Sequence, residues 1–132
     1  MASIRRHIHV LREPDHVWDA LRDVGGVHER LARGFVVDTT LEPGGRVVTF
    51  ANGVVARERI VDVDDQHRRL AYSVVDGALG LTHHHASFEV IEASEGATLL
   101  VWITDVLPDD AAPAVAHMVE LGTAAIIRTL TE

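Results

Sequence analysis

The chain contains no cysteine. Disulfides, thiolate nucleophiles and cysteine-based zinc sites are therefore excluded. It contains no lysine either: its 12 basic residues are all arginine, set against 20 acidic ones, for a formal net charge of −8. Nucleic acids and anionic membrane surfaces recruit clustered positive charge, so neither is expected as a partner. The pair Arg57 and Arg59 around Glu58 is too small to reverse that balance. No apolar run approaches the roughly 20 residues that cross a bilayer. Met1 to His7 lacks the apolar stretch of a signal peptide and reads instead as a strand, so a cytoplasmic location is expected. There is no internal repeat, low-complexity tract, phosphate loop, dinucleotide fingerprint or Ser/His/Asp arrangement, and no cofactor is expected.

What is present is ordinary globular material. Hydrophobic residues make up 47% and charged residues 24% of 132 positions, enough to build a core, and residues 1–132 read as one domain. Ile4, Arg6, Ile8 and Val10 alternate with polar neighbours at the period of a strand. Pro14 opens a helix where its missing N–H costs nothing, and Asp15 favours the positive helix end. Gly25-Gly26 breaks that helix, and a second short one is predicted over Val27 to Ala32.

From Phe35 onward the signals are strands and turns. Strands are predicted over Phe35–Leu41, Arg46–Ala51, Val54–Val63, Arg69–Val75, Thr82–Ile91 and Ala97–Leu107. The turns between them include Glu42-Pro43-Gly44-Gly45 and Asn52-Gly53, the latter a strong hairpin signal because both residues tolerate positive φ. Pro108 ends the strands, and Asp109 and Asp110 mark the start of a helix running to about Thr131. Val115, Met118, Val119, Gly122, Ala125, Ile126 and Leu130 form its apolar stripe. The predicted fold class is α+β: an antiparallel sheet that buries this stripe against its own concave face.

Certain residues in that order carry a family resemblance. They are Pro14 with Val17-Trp18, Gly45 to Phe50 before Asn52-Gly53, Glu58 to Val61 with Asp64-Asp65, Arg69 to Tyr72, and Trp102 to Asp105 with Pro108. With them the chain resembles the START/Bet v 1-like superfamily, and within it the small bacterial polyketide cyclase/dehydrase-like proteins, over nearly its whole length. The resemblance implies the helix-grip fold, a seven-stranded antiparallel sheet around a long C-terminal helix with a cavity between them. It also implies an apolar ligand, such as a lipid, sterol or polyketide, but catalytic residues are not shared across that superfamily, so none is transferred.

Strand alternation proposes the lining of that cavity. Two arginines are more cheaply left in water, so Glu58 is expected to point inward, with Val54, Ala56 and Ile60. Tyr72 shares a face with Leu70 and Val74, and His84 shares one with Ala86, Phe88 and Val90. Both faces of the last strand are apolar. Trp102 is placed inside as the larger side chain, at the position the family resemblance favours. Leu99, Val101 and Ile103 are then left on the convex side, to be covered by the protein's own elements or by a second copy in a homodimer.

An inward carboxylate in an apolar cavity is expected to have a raised pKa and to be capable of acid–base work, unless Arg46 or another buried donor holds it as a structural pair. His84 is its candidate partner, or else a polar anchor for ligand or core. His83 and His85 lie on one face at chelating separation but lack a third ligand, so no metal site is expected. Gly122 provides space on the packing stripe, for close approach to the sheet or for ligand.

Three functions follow. The first is binding of a small apolar, aromatic or lipid-like molecule by Tyr72, Phe88, Trp102, Gly122 and Arg46. The second is a cyclase or dehydratase reaction with Glu58 and His84 as acid–base groups. The third is a protein interaction module acting through the convex face.

Overall fold

A computed structural model describes residues 1–132. Strand β1 (Ala2–Val10) leads into helix α1 (Pro14–Arg22) and a single π-helical turn (Val27–Leu31). Strands β2 (Val36–Glu42), β3 (Gly45–Phe50), β4 (Val55–Asp64), β5 (Arg69–Asp76), β6 (His83–Ser94) and β7 (Ala97–Leu107) follow. A short 3-10 turn (Asp109–Ala111) then enters helix α2 (Ala112–Thr131).

The seven strands form one antiparallel sheet in the order β1-β7-β6-β5-β4-β3-β2. Five of the six strand pairs follow chain order, because short turns make sequential strands neighbours. The sixth, β1 with β7, joins the two ends of the chain. Register shifts at Arg57/Glu58 and Ile60/Asp62 interrupt the β4–β5 ladder, and bulges of this kind bend a strand and increase its twist. The bent sheet wraps α2, so this is the helix-grip fold. No helix is long and apolar enough to cross a membrane.

The stripe on α2 behaves as its spacing predicts. Val115, Val119, Gly122, Ala125, Ile126 and Leu130 are buried and Met118 is half-buried; all of the buried ones but Gly122 join Ile4, Ile8, Leu100 and Val106 of the sheet in a cluster of 26 buried hydrophobic residues together with neighbours from α1. Polar contacts tie the end of α2 to the first helical layer. Arg12 Nη1 donates to the Leu130 carbonyl at 3.0 Å, a cation at the negative helix end, and Arg33 N–H donates to Thr129 Oγ1 at 2.9 Å. Arg6, which shares the inward face of β1, pairs with Glu120 on α2. On α1, Trp18 Nε1 donates to Asp65 at 2.9 Å, which anchors that helix to the β4–β5 turn.

Leu99, Val101 and Ile103 face the convex side, where cover by the protein's own elements or by a second copy is expected. Val101 is only 7% exposed, and Leu99 and Ile103 are half-buried. Val101 lies between His7 and Glu89 in the ladder, and Ile103 between Arg5 and Ser87. The exposed Arg5, His7 and Glu89 of the adjacent strands stand beside the branched side chains, which are covered in part within the one chain. Ser87 on the same face is buried, a short side chain between Ile103 and Ala71 in the ladder.

Candidate ligand cavity

A cavity of about 290 Å³ lies between the sheet and α2, and 21 of its 30 lining residues are hydrophobic. Its size and composition are those of a small-molecule site. Asn52 and Gly77 to Gly80 line it and are themselves exposed, so the cavity reaches the surface between the β3–β4 turn and the β5–β6 loop. All seven residues singled out from the sequence (Arg46, Glu58, Tyr72, His84, Phe88, Trp102 and Gly122) lie on its wall.

Alternation along neighbouring strands builds the aromatic side. Phe88 of β6 faces Trp102 of β7 in the ladder, and their rings stack with centroids 4.6 Å apart. Tyr72 of β5 continues the row, 6.2 Å from Phe88, and Trp102 Nε1 donates to the Tyr72 hydroxyl at 3.2 Å. On α2, a Cβ at Gly122 would stand 2.9 Å from Trp102 Cη2 and 3.3 Å from Phe35 Cε2. The missing side chain on α2 is thus the space against which the indole rests.

Glu58 points inward as expected but is not an isolated acid. Arg46 and Glu58 are directly opposed across β3 and β4, and Arg46 Nε donates to Glu58 Oε1 at 2.8 Å with both side chains more than nine-tenths buried. Gly45 makes this approach possible, because a Cβ there would lie 2.3 Å from the Glu58 carbonyl oxygen. Arg46 also donates to the Val24 carbonyl at 3.1 Å and sits 5.3 Å over the Tyr72 ring, close enough for a cation–π contact. Burial, reinforced by the Glu58 charge, raises the Tyr72 phenol above its ordinary pKa, so it stays protonated at neutral pH.

His84 sits where the sheet parts. Strands β5 and β6 pair only from Arg69 to Tyr72 against Ala86 to Glu89. Beyond that point the Val74 N–H donates to His84 Nδ1 at 3.0 Å, so an imidazole nitrogen replaces a main-chain carbonyl. Burial, then the neighbouring His85 and His83, push the His84 pKa down to about 4. The ring is therefore neutral at physiological pH, with Nδ1 as acceptor and its proton on Nε2. His83 is exposed and His85 half-buried on the opposite face, and no three His, Asp or Glu side chains converge into a metal-binding group.

The depressed His84 value carries a pH dependence. In the unfolded chain the histidine takes up a proton near pH 6.5, whereas in the folded protein it does so only near 4. Stability from this group is therefore complete above about pH 6.5 and falls as the pH drops toward 4. The expected loss is about 2 kcal/mol, below the full shift because the ring borders a cavity open to solvent. His84→Gln keeps an acceptor for Val74 without titrating. Its melting temperature should fall less than that of wild type between pH 7 and 4, and equal acid slopes would contradict the assignment. His16, also depressed through burial and Arg12, is common to both proteins and cancels.

The sequence reading missed Phe35 and Phe50, whose rings meet at 5.1 Å and line the cavity. Their signal was that they flank the β2–β3 hairpin, near the Val36–Phe50 pair that closes its ladder. It also missed the β5–β6 loop as a wall, where Leu79 and Leu81 are apolar residues between the strands predicted to end at Val75 and to begin at Thr82.

Comparison with solved structures places the fold. An uncharacterized protein from Bacillus thuringiensis superposes with a TM-score of 0.88 at 16% identity, covering 99% of this chain and all of that one. A protein from Thermobifida fusca gives 0.80 at 26% identity, with 100% of this chain and 92% of that one covered. Norcoclaurine synthase from Thalictrum flavum gives 0.73 at 17% identity over 98% and 93% of the two chains. Among curated protein sequences no significant relative is found. Residues 1–131 match the family described as polyketide cyclase / dehydrase and lipid transport, and the chain belongs to that family.

Proposed function

We propose that the protein binds a small apolar molecule with an aromatic body in the cavity between sheet and α2. The observation that carries this reading is the stacked wall of Phe88 and Trp102 facing about 290 Å³ of mostly apolar space. The family description, which includes lipid transport, supports it. Norcoclaurine synthase shares the fold at an identity too low to carry its reaction over.

A cyclase or dehydratase reaction with Glu58 and His84 as acid–base groups has less support. Glu58 is committed to Arg46, and His84 has given Nδ1 to the Val74 N–H. Two groups already neutralised and engaged are suited to orienting a ligand more than to exchanging protons with it.

Trp102 is the natural reporter. Titration of aromatic polyketide-like compounds and fatty acids into a Trp18→Phe variant should change Trp102 fluorescence saturably for the aromatic compounds. The same titration into Trp102→Phe should leave the Trp18 signal unchanged, since Trp18 hydrogen-bonds Asp65 and does not line the cavity. Absence of any saturable response across the panel would remove the binding reading and favour the interaction module.

A further inference from the structure

We infer that the cavity selects a neutral aromatic ligand bearing an acceptor oxygen, a ketone or quinone carbonyl, which takes hydrogen bonds from Tyr72 O–H and His84 Nε2–H. This rests on the binding reading above and specifies its ligand.

The inference follows from donors that the protein leaves unspent. The Tyr72 oxygen accepts from Trp102 Nε1, and the hydroxyl proton makes no hydrogen bond within the chain although the residue is only 6% exposed. At His84 the Val74 N–H occupies Nδ1 as an acceptor, which fixes the proton on Nε2. Nε2 belongs to the ring edge farthest from Cβ. His84 lines this cavity, and the proposed contact is made by that edge. Nε2 has no partner in the protein. The two rings are 5.8 Å apart by centroid and tilted by 41°, so both donors border the same end of the cavity. Donors left without a protein partner are open to a ligand that can accept from them.

The charge of the ligand is constrained as well. Both donors are neutral, and the only other charged groups on the wall apart from Asp76 at the mouth are Arg46 and Glu58, which cancel each other. A carboxylate placed here would lose its hydration without meeting an uncompensated cation. A carbonyl asks for two donors in its plane and no counter-charge. A plain hydrocarbon would leave both donors unsatisfied, and sites built around hydrogen bonds reject such analogues strongly.

Fluorenone, fluorene and fluorenecarboxylate form a matched set of three-ring probes that separate these cases. Fluorenone should bind wild type roughly tenfold or more tightly than either of the others. Its carbonyl stretch, which lies clear of the protein amide bands, should move to lower frequency on binding. Tyr72→Phe and His84→Leu should each weaken fluorenone by roughly three- to tenfold, as loss of one hydrogen bond does. Both should leave fluorene unchanged or tighter and reverse part of the frequency shift. His84→Gln, which retains an N–H donor, should recover part of the affinity. If His84→Leu fails to fold, the wild-type comparison and Tyr72→Phe still decide the matter. Equal binding of fluorene and fluorenone, or an unshifted carbonyl band, would overturn the inference while leaving an apolar pocket intact. Tighter binding of the carboxylate would overturn the neutral-ligand claim. If none of the three binds, the binding reading and this inference fall together.

Discussion

Glu58→Ala should lower the free energy of unfolding by about 3–5 kcal/mol, because it strands the Arg46 guanidinium without a counter-charge in the interior. Arg46 is 4% exposed, and with Glu58 gone its remaining contacts are the Val24 carbonyl and the Tyr72 ring face. The double variant Arg46→Met/Glu58→Leu should behave differently. It removes both charges and fills similar volume, so its stability should lie close to wild type or above it. Urea unfolding of wild type, Arg46→Met, Glu58→Leu and the double variant forms a cycle, and a coupling energy of about 2 kcal/mol or more is expected for groups in direct contact. A coupling near zero would mean that the pair is not the structural unit the geometry describes. If Glu58→Ala were fully stable yet abolished an activity, the acid–base role would regain its standing.

That pair also shows how far the sequence reaches. Its inward direction was legible, since Glu58 stands between Arg57 and Arg59 on a strand of period two, and two arginines cannot both be buried cheaply. Arg46 was legible as a candidate partner for the carboxylate, but the contact itself depends on register. The Asn52-Gly53 turn, with Gly53 at φ 87° and the Asn52 side chain accepting from the Val54 N–H, sets Arg46 opposite Glu58. Once the pair forms, the reason to expect an isolated cavity acid disappears.

Elsewhere the limit lies in what adjacent strands do to one another. The inward face of β6 was readable as His84, Ala86, Phe88 and Val90, all of which are buried. That the β5–β6 ladder ends at Tyr72, leaving His84 to stand in for a main-chain acceptor, could not be read from either strand alone. The shielding of Leu99, Val101 and Ile103 was hidden for the same reason. Alternation assigns a face, whereas exposure on that face depends on the side chains of the strands alongside, here β6, next in sequence, and β1, from the other end of the chain.

The same distinction governs Gly122, where a single substitution should separate ligand space from packing space. Gly122→Leu is expected to abolish aromatic ligand binding, by a hundredfold or more, while costing about 1–3 kcal/mol of stability as overpacked cores do. A leucine here must first displace the Trp102 ring, since even its Cβ would approach Cη2 to 2.9 Å. The indole is held by its stack on Phe88 and its bond to Tyr72, but a cavity lies beside it, so it can turn inward without disturbing the backbone. The leucine and the displaced indole would then occupy the volume that the ligand needs. Gly122→Ala provides the graded control. Relief of the helix penalty of glycine, about 1 kcal/mol, should offset the smaller displacement, leaving stability near wild type while affinity still falls. Chemical unfolding read beside the fluorescence titration gives both quantities on the same protein. Should Gly122→Leu bind as wild type does, the indole wall is not part of the ligand site. Should both variants lose stability in proportion to added volume, with no ligand effect in the alanine variant, Gly122 serves close packing of α2 against the sheet and nothing more.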